Sequence, residues 1–185
     1  SYFAITLSSF FFGLLAVALA VAISSRSRIE TTLSLVLAGV MVSSLFSSST
    51  SAVKLVADTS DQLPAITYWL MGSLASVKLK DLSFAFWPIV IGLVPVLLLR
   101  WRINILTLGE DEARSMGLNT KALRLLVVLC STLMTAGAVS VSGMIGWVGL
   151  VIPHFSRLIY GDDYSVTLPT SAFMGATFLL AVDDL

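Results

Sequence analysis

Long runs without a single charged side chain fix what this sequence can become. Residues 1–25 hold none, and "FFFGLLAVALAVAI" is their apolar heart. A second run lies between Glu30 and Lys54, centred on "LSLVLAGVMVSSLF" and crowded with serine from Ser43 to Ser51. A third, "LSFAFWPIVIGLVPVLLL" at 82–99, carries Pro88 and Pro95, and "YSVTLPTSAFMGATFLLAV" occupies 164–182. A helix needs about 20 mostly apolar residues to cross roughly 30 Å of hydrocarbon at about 1.5 Å each, so each run is a candidate crossing. Leu125 to Ser156 is uncharged throughout and as one helix would be about 50 Å long. Gly137, Gly143 and Gly146 offer places to turn, which divides the stretch into a span at about 122–141 and a short one at about 144–160. Between Asp61 and Lys78, "QLPAITYWLMGSLASV" is too short to span and too apolar for a free loop, and reads as an interfacial or re-entrant helix. The expectation is an all-α, polytopic transmembrane bundle of about six spans with short interfacial helices.

Composition agrees with a lipid solvent. Hydrophobic residues make up 57% and charged residues 12%, against roughly 25% charged in an ordinary soluble domain. Repeated apolar runs at that density exceed what a soluble core could bury. Eleven basic and eleven acidic residues leave no net charge, so the electrostatic footprint of nucleic-acid binding is missing. Cys130 is the only cysteine, which offers neither a disulfide framework nor a cysteine metal cluster, and its apolar neighbours suggest a small buried hydrophobe. The chain opens without an initiator Met or basic leader and stops at "FLLAVDDL", just beyond an apolar run. Residues 1–185 therefore read as one transmembrane domain, truncated at both ends.

Lys and Arg of short loops stay in the cytoplasm, which orients the spans. With the alternation above, Arg26, Arg28, Arg100, Arg102, Arg114, Lys121, Arg124 and Arg157 share one side, and Lys54, Lys78 and Lys80 the other. A single crossing over 125–156 would send Arg157 outside and weaken the asymmetry. The segment "LTLGEDEARSMGLN", 106–119, then lies in the cytoplasm. It has good helix formers in "EDEARSM" between Gly109 and Gly117, residues suited to start and stop a helix. Two readings stay open: an ordinary polar connector, or a short surface helix that docks a soluble partner.

Other features pair a functional reading with a structural one. Gly143, Gly146 and Gly149 would let a neighbouring helix come close, and Pro153 would kink its helix by crowding the Gly149 carbonyl; direct substrate contact is the alternative. His154 is an ionisable group within a span, a functional candidate by default. It stands about 4.5 Å of helical rise from Arg157, near the headgroups, which favours anchoring over gating, and one histidine makes no metal site. Ser43, Ser44, Ser47, Ser48, Ser49 and Ser51 suit hydrogen bonding between helices, a wet pore, or both. Trp69, Trp87 and Trp101 read as interface anchors. No phosphate-binding "GxxxxGK[ST]", no "HExxH", no "GxSxG" and no paired intramembrane carboxylates occur. An enzyme is not expected, nor a cofactor bound by this chain, so energy for any work it does must come from outside it. A stand-alone ion-coupled carrier or a membrane scaffold is the alternative, but a carrier wants acids or histidines in mid-span and here charge gathers at span ends.

"LTLGEDEARSMGLN", "GMIGWVGLVIPHFSRLIYGDD" and "LPTSAFMGATFLLAVDD", with "LVLAGVMVSSLFSS" and "ITYWLMGSL" before them, resemble in order the permease subunits of the bacterial ABC importers for iron-siderophores, haem and cobalamin. The resemblance implies a permease of roughly ten helices, of which this chain would hold spans four to nine. It implies a dimer with a second permease subunit, identical or not, in the cytoplasmic membrane of a bacterium or archaeon. A periplasmic or lipoprotein substrate-binding protein would sit above and two ABC ATPase subunits, which use the ATP, below. Residues 103–120 would be the segment coupling to the ATPase, matching at Gly109, Glu110, Glu112, Ala113 and Gly117, with Asp111 among them. Thr31 and Thr32 match the region that narrows the exit, and Ser47, Ser48 and His154 join them as gate or pore candidates. Met144 stands where the family usually has proline, Trp147 where it has phenylalanine, and Asp184 where it has an apolar residue.

Overall fold

Helix forms wherever the apolar runs predict it. The computed structural model describes residues 2–27, 31–74 and 77–184, with side chains at all of these except 2, 3, 31, 32 and 110; Arg28 and Glu30 lie outside the described residues. In chain order the helices are α1 (Tyr2–Ser25), α2 (Thr31–Val56), α3 (Gln62–Met71), α4 (Leu79–Leu98), α5 (Arg100–Leu106), α6 (Glu110–Ser115), α7 (Thr120–Ser142), α8 (Val148–Tyr160) and α9 (Tyr164–Asp183). Five of them, α1, α2, α4, α7 and α9, are long and apolar enough to cross a membrane. The expected break within 125–156 falls at Gly143, which caps α7 at φ 72. The short span expected after it is α8, whose 13 residues cover only about 20 Å. It does not reach across the hydrocarbon alone, and the stretch before it, 143–147, is non-helical.

Neighbouring helices run antiparallel. Against α7, the α4 residues Ala85, Pro88 and Gly92 face Gly137 and Cys130, and α1 places Gly13 against Ala136. The α1–α2 hairpin is fastened where the Ser34 hydroxyl donates to the Ser24 carbonyl, 3.2 Å, and packs Ala20 on Ala38 and Val42. The α8–α9 hairpin is fastened between the Ser156 and Thr170 hydroxyls, 2.7 Å. Among the described residues, α4 with α7, α1 with α2, and α1 with α7 form one packed group, and α8 with α9 a second; α5 continues from the end of α4 and packs along α9.

Small side chains make these contacts. Lipid tails are as apolar as leucine, so helices in a bilayer associate by close packing and by hydrogen bonds. At Gly92 a Cβ would lie 2.6 Å from the Cys130 carbonyl oxygen and from Met134 Cγ, and at Gly137 3.0 Å from Pro88 Cβ. Among the described residues the largest fully buried side chains are those of Ser140 and Ser156, and Ser140 donates to the Gly137 carbonyl of its own helix, 2.8 Å. Large apolar residues instead face outward, among them Phe11, Phe12, Val36, Met41, Ile91 and Phe173.

Candidate functional site

The antiparallel packing gathers charge at one end of the bundle. The last turn of α1 meets the first turns of α7, where Ser24, Ser27, Lys121 and Arg124 line one cleft. Arg26, Arg100, Arg102, Arg114 and Arg157 share this end with α5 and α6. Lys54, Lys78 and Lys80 lie at the other, where α3 meets the end of α7: the Ser73 N–H donates to the Ser142 carbonyl, 2.8 Å. The sidedness read from the sequence therefore follows from the helix directions.

The acidic segment is a small helix locked at both ends. Gly109 caps α6 at φ 122, a backbone shape open to glycine, and the Glu112 carboxylate lies over the Gly109 Cα. At the far end the Leu118 N–H donates to the Ala113 carbonyl, 3.1 Å, and the Gly117 N–H to the Arg114 carbonyl, 2.9 Å. With Gly117 at φ 81 these bonds form a Schellman stop. Ala113 is 0% exposed and anchors the helix from beneath. Arg114 Nε donates to Thr120 Oγ1, 3.3 Å, and the Asn119 side chain accepts from the Ala122 N–H, 3.1 Å, to start α7. Asp111, Glu112 and Ser115 point outward, flanked by exposed Leu108 and Met116; the Glu110 side chain lies outside the described residues. The result is a rigid, acidic and partly apolar knob, a shape suited to a cleft with cationic and apolar lining.

The other candidates separate. Gly143 is in close approach: a Cβ there would lie 2.6 Å from the Trp69 carbonyl oxygen and 3.0 Å from Gly72 Cα. At Gly146 and Gly149 a Cβ would meet nothing within 4 Å, so within this chain the close approaches are made by Gly13, Gly92, Gly137 and Gly143. Pro153 sits inside α8, which continues past it to Tyr160. His154 is exposed on α8, one turn before Arg157.

The serine cluster divides between bonds along its own helix and the lining of a cleft. Ser44, Ser49, Thr50 and Ser51 donate to the carbonyls of Val40, Leu45, Phe46 and Ser47 on their own helix, at 2.9 to 3.0 Å, because a hydroxyl four residues on reaches that carbonyl without a partner helix. Ser43, Ser47, Thr50 and Lys54 form one stripe along α2 and line an open cleft of about 770 Å³, facing Thr135 and Met144. Ser48 is exposed outside that lining. Thr31 and Thr32 open α2, but their side chains lie outside the described residues. Trp87 is corrected as an anchor: it stands near the middle of α4, edge-on to Phe86 with centroids 5.7 Å apart. Trp147, noted in the sequence only as standing where the family usually has phenylalanine, takes φ 66 and ψ −25 at the start of α8 and is 80% exposed. Its one signal is the glycine-rich "SGMIGW" before it. No group of three or more His, Cys, Asp or Glu converges among the described residues.

Comparison with known proteins places this geometry. The family model described as the FecCD transport family matches residues 1–185. The molybdate import system permease protein MolB of Haemophilus influenzae is 39% identical over 184 residues, covering 100% of this chain and 55% of that protein. A probable iron chelatin transport system permease protein of Helicobacter pylori is 43% identical over 173 residues, covering 94% of this chain and 53% of that protein. A solved structure described as a metal-chelate type ABC transporter in an inward-facing conformation superposes with a TM-score of 0.92 at 39% identity, over 99% of this chain and 58% of that one. The chain spans about half the length of the curated relatives it matches.

Proposed function

The chain belongs to the FecCD transport family, and we propose that it forms the translocating part of an ABC importer that moves an iron-siderophore or a related metal chelate, haem or cobalamin into the cytoplasm. It is a multi-pass membrane protein with five helices of crossing length. One observation carries the reading: the acidic knob on α6 is fixed at both ends and presented at the basic end of the bundle. On this reading α6, with Gly109, Glu110, Asp111, Glu112, Ala113 and Gly117, seats in a cleft of a separate ATPase subunit. Closure of two such subunits on ATP then pushes through α5 and α7 and rocks the helices about the translocation route. The hydroxyl stripe of α2 supplies part of that route, and Thr31, Thr32 and His154 lie toward its inner mouth. A second permease subunit, a substrate-binding protein and membrane lipid complete the assembly. The chain itself holds no cofactor and catalyses no reaction.

The direct test reconstitutes the whole permease with its ATPase in vesicles and follows uptake of ferric siderophores, haem, cobalamin and molybdate. Saturable uptake of one cargo that requires ATP on the knob's side is expected. Uptake driven by an ion gradient without ATP would assign the chain to carriers instead. Orientation has its own test. With Cys130→Ser as background, a cysteine replacing Ser115 should react with an impermeant maleimide from the cytoplasm alone, and labelling from outside would invert the arrangement.

A further inference from the structure

We infer that Arg100 and Asn104 are positioning residues that latch α5 onto α9, so that a push on α6 reaches the α8–α9 hairpin directly; the inference rests on the transport reading above. The two stand four residues apart and so share one face of α5. Each meets a backbone group on α9 that α9 cannot pair for itself. Tyr164 is the first residue of α9, and its N–H is among the donors that a helix leaves open at its start; the Asn104 Oδ1 accepts it at 3.2 Å. The Asp163 side chain serves the next residue instead, accepting from the Ser165 N–H at 2.8 Å. The Ser165 carbonyl would ordinarily accept from the N–H four residues on, but that residue is Pro169, which has none. Arg100 Nη1 donates to this carbonyl at 3.4 Å.

Tyr164 also ties in the other half of the hairpin. Arg157, in the last turn of α8, donates from Nη2 to the Tyr164 hydroxyl at 2.7 Å, with its guanidinium carbon 5.3 Å from the ring centroid. Tyr164 and, one turn on, Leu168 pack against the cluster of Val96, Ile103 and Leu123, so α9 meets residues of α4, α5 and α7 in one apolar patch. At the opposite end the hairpin joins the bundle through residues 143–147, where Gly143 has φ 72 and Trp147 φ 66 and Gly146 has open space around it. The hairpin is therefore hinged at one end and gripped by α5 at the other.

The test uses the full-length permease with its ATPase in vesicles, carrying spin labels at the exposed positions Ser115 on α6 and Leu158 on α8. The wild type should give a narrow distribution of label distances. Asn104→Leu combined with Arg100→Met, which keeps bulk and removes both partners, should broaden it and lower the cargo moved per ATP about tenfold, within the usual range for coupling between sites. Asn104→Asp alone retains the acceptor and should behave as wild type, whereas Asn104→Leu alone keeps bulk without an acceptor and should not; a merely shape-filling residue would tolerate both. An unchanged distance distribution in the double variant, or equal loss in Asn104→Asp and Asn104→Leu, overturns the latch. If the wild type moves no cargo on ATP, the transport reading fails, while the label distances still decide whether α5 holds the hairpin.

Discussion

Deletion of residues 110–116 is expected to abolish ATP-driven uptake, a loss of roughly 100-fold or more, while the permease still inserts in the membrane and assembles. The membrane-crossing helices do not depend on α6 for packing, because the buried contacts lie between α4 and α7, α1 and α2, and α1 and α7. The deletion would join Gly109 to Gly117, two residues already at positive φ, and glycine absorbs the altered path at little steric cost. Glu112→Arg is the finer version. A cation in the first turn of a helix costs only about 0.3–1 kcal/mol against the dipole, too little to unfold the knob, yet it reverses charge on the exposed face. ATP hydrolysis should continue while uptake falls about tenfold. Measuring both rates in reconstituted vesicles decides the matter, and uptake at the wild-type rate in the deletion variant would remove α6 from the mechanism.

The features legible in the sequence are those that depend on local chemistry. Charge-free length located the helices, because a helix in hydrocarbon must pair its backbone within itself whatever surrounds it. Gly109 and Gly117 marked the ends of α6 because positive φ selects glycine wherever the chain must turn that way. Features that depend on which helix lies opposite were not legible. Gly143, Gly146 and Gly149 look alike in sequence, yet one is in close approach and two face open space. Gly92 attracted no notice inside its apolar run and Gly137 only as a place to turn, although both lie in the α4–α7 seam, with Gly137 inside α7. The serine hydroxyls of α2 could bond across helices or back along their own, and the choice depends on the neighbour. Asn104 drew no notice of its own within residues 103–120. Its only advance signal was Pro169, which leaves the Ser165 carbonyl without an N–H, and connecting the two required knowing that α5 lies against the start of α9.

The α4–α7 seam yields the largest stability effect. Gly92→Leu should destabilise the permease by about 3 kcal/mol or more, the upper range for overfilling a packed interface. The reason is the identity of the obstacle: a Cβ at Gly92 would meet the Cys130 carbonyl oxygen at 2.6 Å, and backbone cannot rotate away as the neighbouring Met134 side chain can. Separating the helices to make room would also disturb the contacts of Gly137 with Pro88 and Ala85 along the same seam. Gly137→Ala meets a proline Cβ at 3.0 Å, a tight contact, but about 1 kcal/mol of helix propensity gained over glycine offsets it, so its net effect should be small. Gly149→Ala meets nothing within 4 Å and should be neutral or slightly stabilising. The order Gly92→Leu, Gly137→Ala, Gly149→Ala in thermal midpoint, measured on the purified full permease in one detergent, reads out which glycines hold helices together. If Gly149→Ala proves as damaging as Gly92→Leu, then α8 is packed against something this chain does not supply, and the seam does not dominate stability.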